Sequence, residues 1–159
     1  MAFAKTFKKV LPKTVQCLAF EEGFDRALHI IEPGERCRPM NPGPGLALAR
    51  VSRNFEELSV AFVMDAKDFF ENFPPYLRER RALSQPLEWR NLRTLALTAQ
   101  LLDPAESEKC PNDLLQAAGH AARGMRRLEV LEIWNNRKGA AAVFRYEKPQ
   151  LVEEQRGDY

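Results

Sequence analysis

Cysteine and histidine are scarce in this 159-residue chain, which has three of the first and two of the second. Cys17, Cys37 and Cys110 are odd in number and irregularly spaced. That suits neither a disulfide framework nor a zinc site, so reduced, partly buried thiols are expected. His29 and His120 have no Cys, Asp or Glu at metal-ligand spacing, so no metal site is expected and both histidines read as solvated or capping groups. There is no G-x-S-x-G elbow, phosphate loop or dinucleotide fingerprint. No catalytic residue and no cofactor is therefore expected, and the chain does not read as an enzyme. An excess of one charge is also missing: 24 Lys and Arg face 22 Asp and Glu, a net charge of +2 that is too small to imply a nucleic-acid or membrane partner. No apolar run approaches the ~20 residues of a membrane helix. The opening "MAFAKTFKKVLPK" has lysines without the apolar stretch of a secretory signal. An intracellular, reducing location is the default expectation. Eight glycines are outnumbered by eleven prolines, which predicts many breaks between short elements.

What is present is a folded-protein composition, 45% hydrophobic and 29% charged, in a chain long enough for one core. Its organising feature is a spacing. In "RRLEVLEIWNNRKG", Leu128, Leu131 and Ile133 occupy positions one, four and six. The same spacing recurs with Leu92, Leu95 and Leu97, with Phe55, Leu58 and Val60, and with Val15, Leu18 and Phe20. The first positions fall at 15, 55, 92 and 128, giving steps of 40, 37 and 36 residues. Near-constant steps of this size mark stacked modules that cannot bury their apolar faces singly. Positions four and six alternate as in a strand, and position one enters from a turn.

Helical patterns lie between these points. Phe3, Phe7 and Val10 share a face over residues 2–10, before Pro12. Pro44 opens a pattern through Leu48, Val51 and Phe55. Asp65 suits the N-cap of a helix that ends before Pro74 and Pro75. Asn112 or Asp113 suits the cap of another, with Leu115, Ala118, Ala122 and Met125 as its stripe and His120 off it. Further helical turns are read over residues 24–31 and 76–83, an irregular loop over 32–45, and Trp89 as a core plug before the third strand. "NPGPG" reads as a rigid loop rather than an anion cradle, because its prolines remove backbone donors. Helix, turn and strand in succession predict parallel strands roofed on one face. "NNRKG" reads as a hairpin turn, after which "AAAVFRY" returns antiparallel on the sheet edge. The expectation is one α/β repeat domain over residues 1–147, with strands near 15–20, 56–62, 92–98, 128–134 and 140–146, and a polar tail over 148–159.

"FEELSVAFVMDAKDFF", "WRNLRTLALTAQLLDP", "NDLLQAAGHAARGMRRLEVLEIWN" and "RKGAAAVFRY" together resemble the C-terminal region of fungal F-box-like proteins of unknown function. The likeness runs from about Leu11 to Tyr146. It implies a leucine-rich-repeat-like open sheet of mainly parallel strands, covered by helices on one face, with an antiparallel C-terminal edge strand. In better-known F-box relatives such a scaffold displays a binding surface for a protein destined for ubiquitin transfer. The F-box itself is absent from the sequence as written, so a ubiquitin-ligase adaptor is not carried over as a partner. The asparagine of ordinary leucine-rich repeats is matched only by Asn136, with Gly23, Val63 and Gln100 in the other places.

Positions three, five and seven of each module should face away from the helices. They form three expected rows: Cys17, Glu57, Thr94 and Val130; Ala19, Ser59, Ala96 and Glu132; Glu21, Ala61, Thr98 and Trp134. Small polar residues bordered by an exposed tryptophan suit recognition of an unidentified protein partner. The candidate protein-binding face is Glu57, Ser59, Thr94, Ala96, Thr98, Val130, Glu132 and Trp134. Acidic neighbours such as Glu21/Glu22, Glu56/Glu57 and Glu153/Glu154 alternate across faces or are solvated, so they do not make catalytic pairs. Arg78, Arg80 and Arg81 form one basic group, and Arg123, Arg126, Arg127, Arg137 and Lys138 another. A nucleic-acid or anion binder using these arginines is the alternative function, although no nucleic-acid motif accompanies them. A truncated paralogue, or a small enzyme with an unmarked site, is the remaining one. Open sheet edges predict a tendency to self-associate.

Overall fold

Four modules lay their short strands side by side, and three of them enter the strand through the same tight turn. Val15 N–H bonds Pro12 O (3.1 Å), Phe55 N–H bonds Ser52 O (2.9 Å) and Leu128 N–H bonds Met125 O (3.1 Å), each a tight turn at the first apolar position. The strand starts two residues later every time. The computed structural model describes residues 11–12, 14–21, 43–76, 87–102, 109–137 and 140–149. Within them run β1 (Cys17–Glu21), β2 (Glu57–Ala61), β3 (Thr94–Thr98), β4 (Val130–Arg137) and β5 (Ala140–Glu147). They form a five-stranded sheet in chain order, parallel from β1 to β4, with β5 antiparallel to β4. The described residues thus form an α/β fold with a mostly parallel sheet. The expected helix over 2–10 and the turn over 24–31 lie outside the described residues, as do most of the 76–83 segment and the end of the tail.

One carbonyl per strand fixes the stacking. Gln16 O accepts from Glu56 and Glu57, Glu56 O from Arg93 and Thr94, and Arg93 O from Glu129 and Val130, all at 2.7–3.2 Å. Side-chain links repeat at nearly the same step: Arg53 Nε to Glu88 O, Trp89 Nε1 to Ser52 Oγ and Gln100 N–H to Asp65 Oδ2 join groups 35 to 37 residues apart. Such recurrence is what a stack of like modules requires, each contacting chiefly its neighbours.

The core lies on one side of the sheet. Leu58 and Val60, Leu95 and Leu97, and Leu131 and Ile133 are buried in a single cluster with residues of α1 (Gly43–Val51), α2 (Ala66–Phe69) and α3 (Lys109–Ala122). α1 begins on the second half of "NPGPG", which is therefore helix rather than loop. Gly45 is required there: a Cβ would stand 2.5 Å from the Asp68 backbone carbon of α2. α3 starts at Lys109, so Asn112 and Asp113 lie inside it rather than capping it, and Pro111 falls in the first turn, where its missing N–H costs no helical bond. Its fully buried stripe is Leu114, Ala117, Ala118 and Ala121, while Leu115, Ala122 and His120 are half-buried. The tandem leucines leave the stripe ambiguous by one residue in the sequence alone.

Trp89 fills the centre of the core. Its ring stacks on Phe69 at 5.8 Å, its Nε1 donates to Ser52 Oγ at 3.0 Å, and its backbone N–H donates to Gly124 O at 2.9 Å. At the sheet's far edge Asn135 and Asn136 are not turn residues. They pair with Ala142 and Ala141 inside the β4–β5 ladder, and Arg137 pairs with Ala140. The ladder runs three rungs further than the hairpin signal indicates, leaving only residues 138–139 as the connection.

A recognition face and a basic groove at the sheet

The register of the parallel strands brings the outward residues into rows. Cys17, Glu57, Thr94 and Val130 are neighbours in turn, and Glu147 continues the row on β5. Ala19, Ser59, Ala96, Glu132 and Arg145 make the second. The third is broken: Glu21 pairs with Ala61, and Thr98 with Trp134 and then Val143, but the β2–β3 ladder stops at Val60 and Leu97. Cys17, Ala19, Glu57 and Ser59 are exposed, and Thr94, Ala96, Val130 and Glu132 are partly buried. All eight stand on the side of the sheet away from the core.

Phe62 closes the upper border, and the sequence reading does not include it. Strand alternation would send its side chain toward the core. Instead its φ is 62°, a left-handed value that a bulky side chain rarely adopts and that costs about 1–3 kcal/mol. Phe62 N–H donates to Thr98 Oγ1 at 2.8 Å, and its ring meets Trp134 edge-on at 5.2 Å. Thr98 is consequently only 1% exposed, and Trp134 is half-buried. Both were expected on an open surface. Thr98 is withdrawn from it by satisfying a neighbouring backbone donor, and Trp134 presents only part of its ring. No local signal marks Phe62, since a phenylalanine after a strand does not announce a left-handed turn.

At the opposite end of the rows lies a groove of about 990 Å³, lined by Arg93, Arg126, Arg127, Glu129, Val130, Glu147, Lys148 and Pro149. Arg126 and Arg127 are the two central residues of the turn closed by Leu128 N–H and Met125 O. Lys148 is held by its N–H to Glu129 O at 2.8 Å. The structure therefore joins Arg126 and Arg127 to Arg93 and Lys148, which the sequence reading left apart. Arg123 is exposed but does not line the groove. Arg78, Arg80, Arg81 and Lys138 fall outside the described residues.

The sequence profile of one family matches residues 10–156, from ahead of β1 to beyond β5. The chain belongs to DUF6546, a family of unknown function. No curated protein and no solved structure matches it. What this DUF6546 chain can do must therefore be read from its own surfaces. Among its described residues no group of three or more His, Cys, Asp or Glu side chains is placed to hold a metal ion, and no helix is long and apolar enough to cross a membrane. The exposed Cys17 thiol of the DUF6546 sheet is held above its ordinary pKa by local desolvation and then by the Glu57 and Glu56 carboxylates. That keeps it a thiol at neutral pH, the less nucleophilic form. Arg145 bridges rows one and two through Glu147 and Glu132, which bond it and hold its charge. The centre of the face is then small and uncharged, at Ser59 and Ala96, between acidic and aromatic borders.

Proposed function

We propose that this domain is a non-catalytic protein-interaction scaffold, leucine-rich-repeat-like in architecture, whose open sheet face receives a protein partner. Support for the architecture comes from four parallel strands in chain order, crossovers roofing the same side, and steps of 36 to 40 residues between first positions. The single observation that carries the function is the row-by-row alignment, on the side away from the core, of exposed Glu57 and Ser59 with the partly exposed Thr94, Ala96, Val130 and Glu132. A surface of this kind serves substrate recognition in the F-box-type proteins that the sequence resembles, and the reading extends that role to this chain. The partly covered Trp134, braced by Phe62, is its aromatic anchor.

Affinity capture with the full chain tests the reading. Trp134→Ala removes the anchor, and Ser59→Arg fills the exposed middle of the face without touching the core. Each is expected to abolish capture of the native partner while circular dichroism stays unchanged. Equal capture by wild type and Ser59→Arg would exclude the sheet face as the binding surface.

A further inference from the structure

We propose that the groove formed by Arg93, Arg126, Arg127 and Lys148 is a second recognition site, specific for short acidic peptide segments. It does not rest on the sheet-face reading. Four cationic side chains line it against two carboxylates, Glu129 and Glu147. Glu129 already lies 3.5 Å from Arg93, and Glu147 is bonded to Arg145. Arg126, Arg127 and Lys148 form no ion pair among the described residues. Their backbones are tied in place by the Met125–Leu128 turn and the Lys148–Glu129 bond, so three like charges converge on one concavity that folding itself does not neutralise.

The groove discriminates between anions. Its volume is at the upper end of pockets for small ligands, enough for a few peptide residues. The guanidinium fork matches a carboxylate in two parallel hydrogen bonds. Val130 and Pro149 offer an apolar floor on which the methylenes of Glu or Asp side chains can lie. A nucleic-acid backbone needs an unbroken cationic track, and Glu129 and Glu147 interrupt it. An acidic peptide, with its charges on flexible stems, can step past them.

The test titrates fluorescein-labelled hexaglutamate into the full chain at low salt and reads anisotropy. Hexaglutamate is expected to bind and hexaglutamine not to. Arg126→Gln and Arg127→Gln, both at exposed turn positions, should each weaken binding about fivefold, as loss of one solvent-accessible ion pair implies. Arg123→Gln changes the net charge equally outside the groove and should leave binding unchanged. No hexaglutamate binding overturns the proposal. So does an Arg123→Gln effect as large as that of Arg126→Gln, which would mean diffuse attraction. Tighter binding of labelled hexathymidylate would make the groove a nucleic-acid site, and displacement of hexaglutamate by equimolar inorganic phosphate would make it a simple anion site; either overturns it. Hexaglutamate has no apolar side chain for the sheet face, so failure here leaves that reading standing, and the converse holds.

Discussion

Asp68 is the residue at which packing and ionisation conflict most openly. It sits half-buried in α2 with the α1 backbone pressed on it at Gly45, and its carboxyl is pushed up to about 6 by burial and then by the Asp65 and Glu71 carboxylates. Its ordinary value is 3.8, so between roughly pH 4 and 6 the folded state holds more protons than the unfolded one. Stability from this group is therefore greatest below that window, falls as pH rises through it, and stays lower above it. Asp68→Asn should remove that slope and gain about 1 kcal/mol at pH 7, the full linkage value being reduced because the side chain is half open to solvent. Urea midpoints for both proteins from pH 4 to 7 check this: the difference between them should grow with pH and level off. A constant difference would mean that Asp68 titrates normally. "DAKDFFE" shows the neighbouring carboxylates of Asp65 and Glu71 but not the burial, the largest cause, which only the packed structure supplies.

Asp65 shows how an element is both started and tied to its neighbour. One carboxylate oxygen accepts Lys67 N–H at 2.8 Å and caps α2; the other accepts Gln100 N–H at 2.8 Å in the following module. Asp65→Ala loses a cap and leaves a partly buried donor open, which should cost about 2–3 kcal/mol in a denaturant titration with unchanged slope. A loss below about 0.5 kcal/mol would place the bond to Gln100 in solvent exchange rather than in the structure. The cap itself is readable in the sequence, as are the strands, since alternating apolar positions at equal steps leave a parallel stack as the simplest solution. The rows through Glu57, Thr94 and Val130 follow from that register. Contacts made by exceptions to alternation leave no such trace in the sequence. Phe62 turns back through a left-handed backbone, so Thr98 and Trp134 are covered. α2 ends at Phe69, and the aromatic cluster it starts joins Phe69 and Phe73 to Trp89 and Phe70 to Phe69, contacts that no local spacing announces. The groove escaped for a different reason: Arg93 and Lys148 are far apart in the chain and meet only because β5 folds back beside β4.

An open sheet of this order leaves β5 as one of its outer strands. β5 is among its longest strands, has neither proline nor glycine, and carries no charge from Ala140 to Phe144. Arg145 and Glu147, which might guard that edge, are engaged with each other and with Glu132. Among the described residues nothing pairs with its outer side. Val143, 67% exposed, lies within the uncharged stretch. Two copies can join β5 to β5 antiparallel about a twofold axis, since such an interface is self-complementary by symmetry and extends the sheet to ten strands. Sedimentation velocity should then show the weight-average mass of the wild type rising with concentration. Val143→Lys sets like charges near the axis of that contact, the device by which natural edge strands are kept apart, and should hold the chain monomeric without loss of stability. A wild type that stays monomeric at the highest soluble concentration would mean that this edge is already protected.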